Sequence, residues 1–350
     1  MVGDGVNDAG HRSADPEGRG RAQRTSATLT AMLQLRIFVP IALSGAVLEV
    51  LRADPAVSAI SAVPGGSIKP VGDLVTADVA REGANQVIDE LRRLGVPRDG
   101  TIHVDPAPTW ISRPGFDAER RIPGSSADAV VWSDVVQRSY DDSELNWTFL
   151  SFMTLATLLA SIAIVLDSQV LVIGAMILGP DFGPVAALGV ALVRRRWSLF
   201  GLATRTLAMG FVVAIVCATA LALVARWLGW ITAWDVIRPR PGTGFIYTPD
   251  KWSFIVALIA AAAGVLSVTS AKMHGLSGVF VSVTTIPAAG NIALGVALGV
   301  WHEVWGSALQ LAVNLSGMAV AGWLTLAVQQ SVWSRVTIRR RRVRAFPDDR

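Results

Sequence analysis

Hydrophobic and polar positions divide the chain into a short amphipathic part and a long apolar part. Between residues 31 and 106, alternating apolar positions typical of strands are interrupted by two segments with helical periodicity. In the second of these, Val87, Ile88 and Leu91 fall on one helical face, and Gly95 follows as a C-cap. The pattern predicts the element order βαββαβ, an α+β arrangement of the ferredoxin-like type.

This element order resembles that of the small ACT-type regulatory domains. The resemblance implies that the domain binds a ligand and regulates the rest of the protein. A compact domain that serves oligomer contacts or docking is an equally good interpretation. In either case we expect the domain to lie in the cytoplasm.

The segments on either side of this domain have a different composition. Residues 1–30 are rich in Gly, Ser, Arg and Asp without a periodic apolar face, which predicts a disordered tail. Residues 107–146 are punctuated by Pro and Gly and end in an amphipathic stretch, so we predict a linker and a helix that lies against the membrane or a neighbouring subunit.

The apolar part begins at Trp147, where twenty residues pass without a charge, enough to cross about 30 Å of hydrocarbon. Five further apolar segments predict a transmembrane domain of about six spans over residues 147–330, followed by a basic tail at 331–350. The predicted segments are about 169–193, 199–226, 253–271, 275–300 and 304–328.

Composition supports a membrane location for this part. Apolar residues make up 52% of the chain, its mean hydropathy is +0.47, and charged residues fall to 17%, against the roughly 25% of soluble domains. We therefore predict an α-helical integral membrane protein whose partner is the lipid bilayer. Small-residue faces such as Gly317, Ala321 and Gly322 also suggest a homo-oligomer.

Basic residues between the spans predict the orientation. They concentrate on the side shared by both termini, which by the positive-inside rule is the cytoplasmic side of the cell membrane. The residues that we interpret as topology anchors are Arg194, Arg195, Arg196, Arg339, Arg340, Arg341 and Arg342. The run of four arginines directly follows the last span, so we interpret it as a contact with anionic lipid and not with nucleic acid.

The spans repeat along the sequence. "ALGVAL" occurs at 187–192 and again at 293–298, an offset of 106 that also carries spans one, two and three onto spans four, five and six. Because each copy holds three spans, the second copy must enter the membrane upside down. This predicts a 3+3 inverted repeat, an architecture found in many secondary transporters.

The second and fifth spans are predicted to be broken by proline and glycine. Pro180, Pro184 and Pro287 lack an N–H, so we expect them to free the carbonyls of residues 176, 180 and 283. Broken helices near the midplane indicate a transport site, whereas close helix packing by small residues is the alternative. The predicted substrate or ion path comprises Gly174, Met176, Gly179, Pro180, Asp181, Gly183, Pro184, Val283, Pro287, Gly290, Asn291 and Asn314.

Asp181 is the most informative residue of this set. A carboxylate about twelve residues into a span costs roughly 2.5 to 3.5 kcal/mol on insertion scales, so it is expected to face a partner or water. We predict Asn291 and Asn314 as companions at similar depth and hypothesise that Asp181 carries a proton. Asp167, at the end of span one, is interpreted as an interfacial loop residue.

The segment "IGAMILGPDFGP" at 173–184 and the later "TTIPAAGNIALG" resemble the bacterial and archaeal membrane family known as domain of unknown function 389, over about residues 147–328. The resemblance implies a membrane protein and no particular activity. This chain departs from the family by placing Asp181 and Phe182 where the family usually has an apolar pair.

The first nine residues resemble the hinge motif of P-type ATPases, in which the equivalents of Asp4 and Asp8 help to hold Mg²⁺. The phosphorylated Asp of such pumps lies in a DKTGT segment, which this sequence lacks. We therefore interpret the motif as non-functional and as an artefact of annotation or gene neighbourhood.

The remaining chemistry does not suggest an enzyme. The four histidines are scattered, Cys217 has no nearby base, and we expect neither a cofactor nor a metal site. Three hypotheses remain. The first is a transporter or channel for a small solute or ion that is regulated by the cytoplasmic domain, and the second is a membrane-anchored sensor or scaffold whose soluble domain binds a ligand or protein. The third, an intramembrane enzyme, has no motif in its favour.

Overall fold

The computed structural model describes residues 32–107, 111–122, 129–246, 251–269 and 285–344, and these form two compact units, 1–122 and 123–350. Several predicted features lie outside the described residues, namely the tail 1–30 with Asp4 and Asp8, and Val283. The side chains of Arg339, Arg340, Arg341 and Arg342 lie outside them too.

The first unit follows the predicted order of strands and helices, with two additional helices. Its elements are β1 (Met32–Pro40), α1 (Ile41–Ala53), β2 (Val57–Ile68), β3 (Val71–Ala80), α2 (Arg81–Arg93), α3 (Val96–Asp99), β4 (Thr101–Pro106) and α4 (Arg113–Arg121). The four strands form one antiparallel sheet in the order β2-β3-β1-β4.

The alternating buried side chains of β1 form part of the core of this unit. Leu35, Ile37 and Val39 are fully buried, and the helices add Leu51 and Leu91 to the same core. Burying a side chain of this size contributes about 1.5 to 3 kcal/mol, so the alternating positions explain why the sheet forms with one face covered.

The hairpin of β2 and β3 contains an irregularity. The pairing shifts between Val63 and Ser67, and β2 continues to Ile68. Pro64 has no N–H for the ladder, so the strand bulges there without ending.

The second unit is helical. Its elements are α5 (Trp132–Asp142), α6 (Trp147–Val165), α7 (Gln169–Leu178), α8 (Phe182–Arg194), α9 (Trp197–Trp227), α10 (Ala233–Ile237), a 3₁₀ turn (Gly244–Ile246), α11 (Lys251–Thr269), α12 (Ile286–Leu298) and α13 (Trp301–Arg344).

Three of these helices are long and apolar enough to cross a membrane: Trp147–Val165, Trp197–Trp227 and Trp301–Ser331. A fourth span results if α7 and α8, which are bent by 57° at their junction, are counted together. The apolar segments Ile255–Ser267 and Ile286–Leu298 are shorter. The described residues thus give three or four spans, and the number six stays a prediction.

The broken helix α8 and helix α12 lie at the centre of the helical packing. Helix α6 packs against α9 and α12, helix α11 packs against α13 and α8, and both α8 and α12 contact α9 and α13. At the closest approach of α8 to α13, a Cβ atom on Gly189 would lie 3.0 Å from the backbone carbon of Gly322. Small residues therefore permit the backbone contact between these helices.

Candidate functional site

The predicted break of the second span is present in the structure. Helix α7 ends at Leu178, helix α8 begins at Phe182, and Gly179, Pro180 and Asp181 lie between them. Gly179 is extended (φ −67°, ψ 126°), and Pro180 supplies no N–H to continue α7. The chain therefore bends at the position that the Gly-Pro pair indicates.

The other two prolines lie close to helix starts. Pro184 is the third residue of α8 and Pro287 the second residue of α12, so both lie in the first turn of a helix. The N–H groups of a first turn have no acceptor within the helix, so proline there costs no hydrogen bond. Pro180, whose carbonyl Pro184 was expected to free, lies before the start of α8, and Val283, the corresponding residue for Pro287, lies outside the described residues. The carbonyl of Met176 belongs to the last turn of α7.

Asp181 is fully buried and meets the start of the second central helix. It is the N-cap residue of α8, and Thr285 is the N-cap residue of α12. The Thr285 hydroxyl donates a hydrogen bond of 2.5 Å to Asp181 Oδ2. The N-terminal ends of α8 and α12 are thus joined through these two side chains.

The electrostatic setting at this junction favours a carboxylate. A helix N-terminus carries roughly half a positive charge, and both α8 and α12 begin here. The Asp181 side chain makes no capping bond to its own helix, so it is available to the Thr285 hydroxyl. Sequence reasoning missed Thr285, although a Thr two residues before a Pro is a recognisable helix start.

Asn291 belongs to a different cluster, so the expectation that it accompanies Asp181 is corrected. Its amide nitrogen donates to Glu303 Oε2 (3.0 Å) and to Ser307 Oγ (2.9 Å), and its amide oxygen accepts from Arg240 (3.3 Å). Arg240 also forms an ion pair of 2.6 Å with Glu303, the two side chains being 0% and 4% exposed. We refer to Arg240, Asn291, Glu303 and Ser307 as the Arg240 cluster.

The loop that carries Arg240 is attached to the helices by further polar contacts. Arg238 donates to the carbonyl of Val165 at 2.8 Å, and Thr243 and Gly242 donate to the Asp167 carboxylate at 2.9 and 3.3 Å. Asp167 was expected to be an ordinary interfacial residue. In the structure it holds this loop.

Asn314 lies on a polar face of helix α13 that the sequence analysis did not recognise. Glu303, Ser307, Gln310 and Asn314 are all buried along this helix. Within the described part of the chain, the amide oxygen of Gln310 has no hydrogen-bond partner. The spacing of these residues is visible in the sequence, but their burial depends on packing against α12.

Two glycines of the predicted path serve close packing. A Cβ atom on Gly290 would lie 3.0 Å from Ala160 Cβ, and one on Gly183 would lie 2.8 Å from Asp142 Cβ. The packing interpretation thus holds for these two positions. A Cβ on Gly174 would reach only an ordinary contact, 3.7 Å from a Leu159 methyl.

Helix α5 lies against the helices that follow the break. Asp142 contacts Gly183, Tyr140 Oη is 2.7 Å from Ser198 Oγ, and the Ser143 carbonyl accepts from Thr206. Burial raises the pKa of the Asp142 carboxyl, repulsion from Asp141 adds to this, and Arg138 opposes it. Thus α5 covers helices of its own unit, and the Asp142 carboxyl, although exposed overall, loses water on the side that contacts Gly183 of α8.

The arginine run at residues 194–196 ends helix α8. Arg195 has a left-handed backbone (φ 53°), and the Arg194 guanidinium lies 5.4 Å from the centre of the Trp132 ring. Arg195 and Arg196 are exposed, and their role as topology anchors stays a prediction.

An apolar groove of about 530 Å³ opens between α9 and α13. Leu188 of α8 and Ile292 of α12 contribute to its lining, and Thr204 and Ser316 are its polar members. Since its lining is otherwise apolar, the groove suits hydrocarbon better than a polar solute.

Comparison with known proteins places the broken helix within a known family model. Residues 176–320 match the model described as Domain of unknown function (DUF389), which confirms the resemblance seen in the sequence. An uncharacterised protein of Methanocaldococcus jannaschii is 21% identical over 262 residues, covering 73% of this chain and 78% of the relative. No solved structure matches the chain. These matches indicate a membrane protein, and neither of them assigns an activity.

Proposed function

We propose that the protein, whose membrane unit resembles domain of unknown function 389, is a transporter or channel for a small solute or ion. The observation that carries this proposal is the fully buried Asp181, which lies where the N-terminal ends of α8 and α12 meet. The path runs past this junction, and Asp181 is its central polar group.

The position of Asp181 is difficult to explain by packing alone. Small residues such as Gly183 and Gly290 let helices approach, but a carboxylate in a span costs roughly 2.5 to 3.5 kcal/mol and is seldom kept without a role. Half-helices that begin near the midplane are the usual way in which transporters present polar groups to a solute. The Asp181 junction has this form.

The pairing of helices supports a six-span inverted repeat. Helices α6, α8 and α9 of the first copy correspond to α11, α12 and α13 of the second. Each packing contact between two of these six helices has a counterpart between the two corresponding helices. The contact of α6 with α12 corresponds to that of α11 with α8, and the contact of α6 with α9 to that of α11 with α13. Helices α8 and α12 have thirteen residues each, and their starts are 104 positions apart, close to the offset of 106 between the repeated hexapeptides.

The first unit is proposed to regulate transport as an ACT-like cytoplasmic domain. Its antiparallel sheet and its own buried core support an independent sensing module. Helix α5 follows this unit in the chain and contacts α8 at Gly183, two residues after Asp181. A movement of α5 would therefore act directly on the broken helix.

The second candidate is a sensor or scaffold that is anchored in the membrane. The division of the chain into two compact units favours this candidate, since the first unit has its own core and needs no transport path to bind a ligand. In this case the helical unit would anchor the protein and form a homo-oligomer, and Asp181 would stabilise helix packing.

Flux into proteoliposomes separates the two functions. The full chain, verified as folded by circular dichroism, is tested against a panel of monovalent ions, amino acids and organic acids, with protein-free vesicles as blank. We expect flux of at least one solute, and we expect Asp181→Asn to reduce it strongly while Asp141→Asn, a change at an exposed carboxylate, does not. Folded wild-type protein that moves no solute of the panel would support the sensor.

A further inference from the structure

The buried side chains of helix α13 form a continuous polar face. Glu303, Ser307, Gln310 and Asn314 are spaced i, i+4, i+7 and i+11, so at 100° per residue they fall within an arc of about 60°. The face extends over about 16 Å along the helix, roughly half of the hydrocarbon thickness. Buried polar groups inside a membrane helix are costly, and a row of them is a candidate for a functional site.

This face leads from the Arg240 cluster toward the Asp181 junction. A two-residue turn connects α12 to α13, and Asn291 of α12 bonds Ser307 of α13, so the two helices run antiparallel side by side. From Asn291 back to Thr285 is about 9 Å along α12, and from Ser307 forward to Asn314 is about 10 Å along α13. Thr285 and its bonded carboxylate therefore lie at the level of Gln310 to Asn314.

The groups on this face are suited to a positive guest. The Gln310 amide oxygen is buried and lacks a partner within the described part of the chain, and a buried acceptor without a donor is costly. Hard cations bind amide, hydroxyl and carboxylate oxygens. The charged side chains buried in the described part of this unit are two carboxylates, Asp181 and Glu303, and one guanidinium, Arg240, which already bonds Glu303.

We infer that the face of α13 between Ser307 and Asn314 binds one small monovalent cation, with the Gln310 amide oxygen as a ligand. The cation approaches along the face and is held at the depth of Thr285. The inference deepens the proposed transport function and rests on it, because it names the class of the ion that moves or that drives the movement of another solute.

Two readouts on the full-length protein test the cation site. The first is uptake of labelled sodium, labelled rubidium or protons into proteoliposomes under an imposed potential. The second is the Tm in detergent with sodium, potassium or lithium chloride against choline chloride at equal ionic strength. The variants are Gln310→Leu, Gln310→Glu, which keeps an acceptor oxygen, and Gln330→Leu, a change on the opposite side of the same helix, about 170° from the centre of the face.

We expect sodium or rubidium to enter wild-type vesicles, and we expect Gln310→Leu to reduce the uptake about tenfold or more, as for the loss of one buried polar ligand. The Tm increase from the matching alkali cation should disappear in Gln310→Leu and persist in Gln310→Glu and Gln330→Leu. If only protons enter and no alkali cation raises the Tm, the Gln310 site is overturned, because a neutral amide oxygen does not hold a proton. Cation flux and Tm increase that are equal in wild type and Gln310→Leu would overturn the site and leave the transport function intact. Wild-type vesicles that move no solute at all would overturn both.

Discussion

The buried ion pair of Arg240 and Glu303 allows a quantitative test of how the loop is attached to the helices. We consider Arg240→Gln, Glu303→Gln and the double variant. Each single change removes one charge and leaves the other buried, while the double change leaves two neutral amides of similar size. The structure predicts that each single change lowers the free energy of unfolding by much more than half of the loss that the double change causes.

The magnitude follows from the geometry of the pair. At 2.6 Å the attraction amounts to about 6 kcal/mol at an effective dielectric constant of 20, and the cost of removing both groups from water offsets much of it. Breaking such a pair from one side leaves an uncompensated buried charge and costs about 3 to 5 kcal/mol. The double variant should cost well below the sum of the singles, with a coupling energy of about 2 to 3 kcal/mol.

The assay is unfolding in mixed micelles of increasing SDS fraction, monitored by circular dichroism. Arg226→Gln is the matched control, because this arginine is exposed and donates to a neutral carbonyl, that of Ala297, at 2.8 Å. Its loss should cost about 1 kcal/mol or less. Additive effects of the two single changes, or single costs no larger than that of the control, would refute the burial and pairing of Arg240 and Glu303.

Two further predictions concern packing and pH. Gly189→Ala should lower the free energy of unfolding by about 1 to 3 kcal/mol, because the new Cβ would meet the backbone of Gly322 at 3.0 Å. Gly201→Ala is the control: a Cβ added there has no neighbouring atom within 4 Å, so this change should be neutral or stabilising by up to about 1 kcal/mol. Equal Tm changes of the two variants in detergent would contradict the close helix contact. Asp142→Asn should raise the Tm at pH 7, because burial raises the pKa of this carboxyl and so penalises its charged form above the pKa of the unfolded chain. The gain should vanish as the pH falls below about 4, where the carboxyl is protonated in both states, and a gain that persists there would rule out this cause.

The elements of the first unit could be predicted because their burial follows simple periods. Leu35, Ile37 and Val39 alternate along β1, and Val87 and Leu91 recur at helical spacing along α2. The irregular pairing after Val63 could not be predicted in the same way, since a proline can equally end a strand or bulge it.

The helix break was predictable for a local reason, and its partners were not. Pro180 after Gly179 interrupts α7 through its own chemistry, without help from distant residues. Thr285, in contrast, is 104 positions away from Asp181, and its hydrogen bond depends on how two helix starts come together. The helix starts at Phe182 and Ile286 could not be located from Pro184 and Pro287 alone, because a proline in a first turn and a proline inside a span look the same in a sequence.

The Arg240 cluster was harder still to predict from the sequence. Arg240 stands in a loop sequence rich in proline, where an arginine is normally exposed, and its partner Glu303 is 63 positions away. The polar residues of α13 are visible at regular spacing, but sequence alone does not reveal which face of an apolar helix turns inward. Long-range packing decides which of these polar residues become buried.

If the Asp181 junction lies on a path for a solute, as we propose, Thr285 must become accessible from water. The single natural cysteine, Cys217, is replaced by alanine, and Thr285→Cys is introduced in the full chain and reconstituted in vesicles. Thr285 is fully buried in the structure. We expect that a small charged thiol reagent nevertheless reacts at position 285 as the path opens, and that the transported solute slows this reaction. A folded variant that never reacts at position 285 would contradict this proposal.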